Sequence, residues 1–200
     1  MGYVGAVITQ NVVDTADIAD GSITTAKLAT NAVRDEMPSG SVLQVQTATT
    51  DTQQALSAST TWADITGLTV NITPIATSNK ILIIGKVFLG SGSNPNGGIG
   101  CYRSETSGGG NGAFVGATAS GDSDYIRSDA FWNTDDYASL DHTLLGIPFS
   151  LQDTAPSTNQ LTYKLQFASS SSVTQYINYP SNGTASGRGR HSITVMEIKA

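Results

Sequence analysis

Charged side chains are scarce in this chain: only 13% of its 200 residues are Asp, Glu, Lys or Arg. An aqueous surface must therefore be built mainly from uncharged polar groups, and Ser, Thr, Asn, Gln and Gly supply them. The helix-forming Glu, Lys and Arg are few. Ser and Thr suit strands and turns, and the 21 glycines suit turns that need positive φ. The composition favours an all-β protein. Basic residues are fewer still than acidic ones, giving a net charge of −6 and a pI of about 4.6. No basic stripe is present to neutralise phosphates, so nucleic acid is not an expected partner. Arg188, Arg190 and His191 form one local cluster and read as a solvated turn before the last strand. A single cysteine, Cys101, excludes an internal disulfide framework and reads as a small buried hydrophobe. The longest aliphatic run, Ile81-Leu82-Ile83-Ile84, falls far short of the ~20 residues of a membrane helix. The first residues lack the charged start and apolar core of a signal peptide. These features predict a chain made in a cytoplasm and without a membrane anchor of its own.

The first forty residues carry a repeat. Asn11-Val-Val-Asp-Thr-Ala-Asp-Ile-Ala-Asp20 aligns with Gly21-Ser-Ile-Thr-Thr-Ala-Lys-Leu-Ala-Thr30 and then with Asn31-Ala-Val-Arg34. Apolar residues recur every five positions, at Ile8, Val13, Ile18, Ile23, Leu28 and Val33. A period of five is neither that of a helix nor that of a strand. It fits a chain that alternates a short extended piece with about one helical turn. Asp14 or Thr15, and Thr24 or Thr25, are placed to cap such turns. The resulting apolar edge is thin and cannot be buried by one copy. Identical chains around an axis cover it most simply, each presenting the same stripe.

Met37-Pro38-Ser39-Gly40 is a breaker cluster and divides the chain into a segment 1–37 and a body 38–200. In the body, short β-like runs alternate with turn signals. They fall at Val42–Thr47, Leu68–Ile72, Ile81–Leu89, Gly112–Ala117, Tyr125–Arg127, Leu140–Leu151, Leu161–Phe167, Val173–Tyr179 and Ser192–Lys199. Leu161, Tyr163, Leu165 and Phe167 alternate with Thr162, Lys164 and Gln166, the signature of a half-buried strand. Ile81–Leu89 is nearly continuous apolar and predicts a strand covered on both faces. Short strands about ten residues apart predict a β-sandwich, with jelly-roll connections among its forms.

The string Asp-Gly-Ser-Ile-Thr-Thr-Ala-Lys-Leu-Ala at 20–29 resembles repeats of tail fibres and other virion structural proteins of tailed bacteriophages, including phages of cyanobacteria. Val13-Asp14-Thr15-Ala16-Asp17-Ile18-Ala19 and Asn31-Ala32-Val33 fit the same pattern. Val42-Leu43-Gln44-Val45-Gln46, Thr61-Trp62-Ala63-Asp64-Ile65-Thr66-Gly67-Leu68, Ile72-Thr73-Pro74 and Thr77-Ser78-Asn79-Lys80-Ile81-Leu82 are similar to a module at the C-terminal end of phage fibre proteins. Leu161-Thr162-Tyr163-Lys164-Leu165-Gln166 and Ser192-Ile193-Thr194-Val195-Met196-Glu197-Ile198 continue that likeness, which is weakest from Ser91 to Asp141. The resemblance implies a homotrimeric virion protein, with 1–37 as a short stalk or anchor to other virion proteins. Its head would be exposed for attachment to a host-surface glycan. It transfers no catalytic residue, cofactor or metal. It leaves open a head fibre, capsid decoration or baseplate component without a receptor role.

Chemistry-bearing patterns are sparse. A hydrolytic triad needs His142 or His191 beside a Ser and a carboxylate, and if the run at 140–151 is a strand, the adjacent Asp141 and His142 point to opposite faces. Asp122, Asp124, Asp129, Asp135, Asp136 and Asp141 lack the spacing of a calcium loop. Gly108-Gly109-Gly110-Asn111-Gly112 lacks the Lys and Ser/Thr of a phosphate loop. A glycan-degrading enzyme would need paired carboxylates in a groove. None of these patterns predicts catalysis. One segment combines rings, amides and carboxylates: Tyr125, Trp132, Asn133, Asp135, Asp136 and Tyr137, with Phe131 beside them. Sugars pack their C–H faces on rings and give hydroxyls to carboxylates and amides, so these six are the candidate glycan-binding residues. A core or interface role for Phe131 and Trp132 is the competing reading.

Overall fold

The chain divides into two units, Met1–Met37 and Pro38–Ala200. The computed structural model describes residues 34, 36–56, 61–91, 96–106, 112–116, 130–133, 144–169, 174–178 and 189–200. For residues 56, 91, 96, 97, 130–133, 145, 169 and 175 only the backbone is described. The ten-residue repeat and its apolar positions Ile8, Val13, Ile18, Ile23, Leu28 and Val33 lie outside the described residues, as do the strand expected at Tyr125–Arg127 and the segment 134–143.

The described part of Pro38–Ala200 is built from strands: β1 (Val42–Thr50), β2 (Gln54–Leu56), β3 (Ala63–Ile72), β4 (Lys80–Ser91), β5 (Asn96–Glu105), β6 (Ala113–Phe114), β7 (Ala130–Asn133), β8 (Leu145–Thr154), β9 (Leu161–Ser169), β10 (Gln175–Ile177) and β11 (His191–Ile198). Every described pairing between them is antiparallel. In the first sheet β1 pairs β11, β11 and β10 both pair one edge of β4, β2 pairs β10, and β8 pairs the other edge of β4. In the second, β3 pairs β9, β9 pairs β5, and β6 and β7 share the far edge of β5. Since β2 continues the line of β1, β10 that of β11, and β6 and β7 one line, eleven described strands fill eight positions. Numbered along the chain, those positions run 1-8-3-6 in one sheet and 2-7-4-5 in the other. This is the two-sheet connectivity of a jelly roll. The expected β-sandwich is therefore a jelly-roll one.

The core lies between the sheets and follows the two-residue period of the strands. Ile193 and Val195 of β11, Leu161, Tyr163, Leu165 and Phe167 of β9, and Ile81, Ile83 and Val87 of β4 are all buried, as is Cys101. Two features depart from the expectation. The first is β4, which is covered on one face only: Ile84 on its outer face is 38% exposed. Its apolar run is long because the strand is hydrogen-bonded along both edges, which places it at the centre of its sheet. The other exposed large hydrophobics, Val42 and Val45 of β1 at 46% and 50%, lie on the same outer face, Val45 in register with Met196 and Met196 with Leu82. The second is His191, expected in a solvated turn and instead fully buried as the first inward residue of β11.

Polar groups tie the ends of the sandwich. Where the chain enters the body, the Gly40 N–H donates to Lys199 O at 2.8 Å and the Lys199 N–H to Ser41 O at 2.9 Å. Beside them the fully buried carboxylate of Glu197 accepts from Gln44 Nε2 at 2.5 Å, the Ile75 N–H at 2.8 Å and Asn79 Nδ2 at 2.6 Å. Between the sheets, Arg103 of β5 holds Asp153 of β8 at 2.6 and 2.7 Å, and the Tyr163 hydroxyl donates to Asp153 Oδ2 at 2.9 Å. Burial, then the Asp153 charge, raises the Tyr163 hydroxyl above its usual value. At the opposite end Asn178, buried and at φ 66°, donates Nδ2 to Asp51 O at 2.6 Å and accepts from the Gly189 N–H at 2.7 Å. It thereby ties together the two ends of the 178–190 insertion that separates β10 from β11.

Candidate functional site

β3 begins at the end of the sandwich away from Pro38, because β1 runs from beside the C-terminus to Thr50 and β3 returns. A bulge follows at once. Asp64 and Thr69 of β3 face Gln166 and Lys164 of β9, so five steps on one strand meet two on the other. Gly67, at φ 83°, supplies the left-handed residue such a bulge needs, and it sits against Thr50, where a Cβ would approach within 2.8 Å. The bulge turns both Ile65 and Leu68 into the core. It also leaves Trp62 and Asp64 on the outer face of the second sheet.

There they meet residues from two other strands. Phe114 of β6 pairs with Tyr102 of β5, and Tyr102 with Lys164 of β9, so all three share that outer face. The Trp62 and Phe114 ring centroids are 4.7 Å apart at 50°, and those of Tyr102 and Phe114 are 5.2 Å apart at 73°. The floor beneath is Gly100: a Cβ there would lie 2.9 Å from Phe114 and 3.1 Å from Trp62. Glycine is what lets the rings lie on the backbone. All three rings are half-buried, so part of each remains in contact with solvent. Trp62 Nε1 is enclosed and has no hydrogen-bond partner among the described residues.

A polar rim borders the rings. Asp64 accepts from Lys164 Nζ at 2.8 Å and from Gln166 Nε2 at 2.6 Å, and Lys164 lies 5.7 Å from the centre of the Tyr102 ring. Burial alone would raise the Asp64 carboxyl, but the bonds from Lys164 and Gln166 and the Lys164 charge outweigh it and hold it below the usual value. The group is an anion near neutrality, half exposed, with lone pairs remaining for further donors. Rings beside a carboxylate and an amide are suited to binding a sugar. They provide no nucleophile and base within reach of each other.

Of the residues predicted from sequence, Tyr125, Asp135, Asp136 and Tyr137 lie outside the described residues. Trp132 and Asn133 are placed by backbone only, in β7, where they pair with Gly97 and Asn96. The row Trp62, Tyr102 and Phe114 was not predicted. Its only sequence signal is weak: Gly100 and Tyr102 alternate on one strand face, and the other two rings are far away in the chain.

His191 can also be assigned. Its Nδ1 accepts the Phe88 N–H at 3.0 Å, so in the neutral ring the proton sits on Nε2, which is buried without a partner among the described residues. Burial drives this imidazole down to about 4, with the Asp51 charge opposing. An unfolded histidine takes up its proton near 6.5, which the folded one refuses until about 4. Acid therefore favours the unfolded chain through this window. The expected loss between pH 7 and 4 is on the order of 2 kcal/mol after allowance for solvent screening. Asp64 acts below that window, its contribution fading only as pH falls through its depressed value. In His191→Gln, whose amide oxygen can still accept from Phe88, urea unfolding should lose much less stability between pH 7 and 4.5 than wild type. Equal losses would contradict the assignment.

Among the described residues no group of three or more His, Cys, Asp and Glu is gathered to hold a metal, and no helix is long and apolar enough to cross a membrane. No family model and no curated protein matches the chain. Among solved structures it is similar to the CBM22-1 xylan-binding domain of Xyn10C from Paenibacillus barcinonensis, at 9% identity and a TM-score of 0.36, over 82% of this chain and 99% of that one. It is also similar to a chain of infectious bursal disease virus, Gx strain, at 15% identity and a TM-score of 0.39, over 81% of this chain and 37% of that one. The match thus spans little more than a third of the viral chain. Neither likeness supplies a function for this chain.

Proposed function

We propose that this chain is a non-enzymatic virion structural protein of a tailed bacteriophage, a short homotrimeric fibre. Its segment 1–37 docks to other virion proteins, and its jelly-roll head attaches to a host-surface glycan through Trp62, Tyr102 and Phe114. The observation that carries the attachment is the half-exposed row of rings over Gly100, at the outer face of the second sheet and well away from where the chain enters the head. The five-residue apolar repeat supports the anchor and the need for sister copies. Exposed Val42, Val45 and Ile84 on the other sheet add apolar surface that sister copies can cover. Weak single contacts become firm attachment when several heads are held together.

Trp62→Ala and Phe114→Ala are each expected to weaken binding of the purified full-length protein to bacterial surface polysaccharide by about tenfold or more, as for a buried aromatic anchor. Surface plasmon resonance against immobilised polysaccharide reads this, with thermal unfolding confirming that each variant is folded. Deleting residues 1–37 should leave a folded head that no longer joins particles. A truncated head that still assembled would refute the division between anchor and head. The shortness of the repeat favours one second reading, a capsid or baseplate decoration, in which the deletion gives the same result but ring substitutions leave attachment unchanged.

A further inference from the structure

We infer that the ring row takes one uncharged pyranose at a time, the end or a side branch of a glycan, and not a run of consecutive sugars. The inference rests on the attachment reading above and adds the class of ligand. A sugar stacks by laying its C–H face parallel to a ring. Trp62 and Phe114 stand at 50° and Tyr102 and Phe114 at 73°, so no two adjacent rings present parallel faces. A ribbon of sugars lying in one plane therefore cannot stack on two neighbouring rings of the row. Each junction is a corner: a sugar stacked on one ring meets the next ring along its edge.

The polar rim argues for an uncharged guest. The Lys164 ammonium is already directed at Asp64, at 2.8 Å, and Asp64 accepts from Gln166 as well. A uronic or sialic acid would bring its carboxylate toward the Asp64 anion, on a chain of net charge −6. Neutral hydroxyls instead can donate to the remaining lone pairs of Asp64. Gly100 fixes the two rings at this junction, since any side chain there would push Phe114 and Trp62 off the backbone. A guest of this size binds with a Kd on the order of 1 mM.

The test is a titration of the full-length protein, followed by nuclear magnetic resonance. The probes are methyl β-D-glucopyranoside, methyl β-D-galactopyranoside, methyl β-D-glucuronide and linear glucose oligomers of two to four units. At least one neutral methyl glycoside should shift the ring signals of Trp62, Tyr102 and Phe114 and leave those of His191 in place, a readout that needs no variant. Asp64→Asn should weaken that binding at least fivefold. Tightening of tenfold or more from one sugar to four, or tighter binding of the glucuronide than of the neutral glycosides, would overturn the inference. So would the absence of any shift at the rings while Trp62→Ala still abolished polysaccharide binding. Unchanged polysaccharide binding by both Trp62→Ala and Phe114→Ala would instead overturn the attachment reading itself.

Discussion

Glu197→Ala is expected to cost the head about 2–4 kcal/mol, since each buried donor that loses its acceptor costs about 1–3 kcal/mol. The carboxylate is fully buried and accepts from the side chains of Gln44 and Asn79 and from the Ile75 N–H. Alanine would leave the Ile75 N–H and the buried Asn79 amide without this acceptor, while Gln44 keeps its bond to Thr73 O at 2.7 Å. These donors come from β1, from the connection between β3 and β4, and from the turn before β4. Asn79 in turn accepts from the Ala200 N–H at 3.2 Å and receives the Ala155 N–H on its backbone oxygen at 3.3 Å. One residue of the last strand therefore holds together the end of the sandwich at which the chain enters and leaves. Glu197→Gln keeps an acceptor and should recover part of the loss. Urea unfolding of the three proteins at pH 7 checks this, and an alanine variant within 1 kcal/mol of wild type would show that the network is not needed.

A second large effect is expected at Gly85, in the middle of β4. It faces inward, in register with Phe149 on one side and Ile193 on the other. A Cβ at Gly85 would lie 2.4 Å from the Phe149 ring and 2.3 Å from Ser192 O. The ring can turn, but the carbonyl belongs to a strand paired on both sides and cannot withdraw without breaking the ladder. Overpacking of a close-packed core usually costs about 1–3 kcal/mol, and Gly85→Val, with a backbone atom in the way, belongs at or above the top of that range. The gain in strand propensity from valine is well below this. Thermal and urea unfolding should both show the loss. A valine variant of unchanged stability would mean that the strand at Gly85 can shift more freely than its two ladders allow.

The contrast between these positions shows what could be read from sequence. The alternation Leu161, Tyr163, Leu165, Phe167 was legible because β9 lies inside its sheet with one face inward, the case in which a two-residue period is cleanest. The breaker cluster Met37–Gly40 was legible because proline and glycine act locally. The burial of His191 and Glu197 was not, since both are polar residues in inward positions of β11, and composition assigns such residues to the surface. The run Ile81–Leu89 misled because apolar side chains on the outer face look the same in sequence as apolar side chains in a core. Split strands were hidden too: β10 and β11 become one line only through shared pairing with β4 across the 178–190 insertion. The ring row was the least legible of all. Trp62, Tyr102 and Phe114 belong to three strands, and only the pairing of β6 with β5 and the bulge in β3 bring them onto one face.

The proposed attachment of that face to the host is tested most directly on whole particles. Phage particles carrying the protein with Trp62→Ala and Phe114→Ala together can be compared with wild-type particles for the rate of adsorption to host cells. Adsorption at least tenfold slower, by particles holding the normal amount of the protein, is the result expected. Adsorption at the wild-type rate by such particles would contradict it.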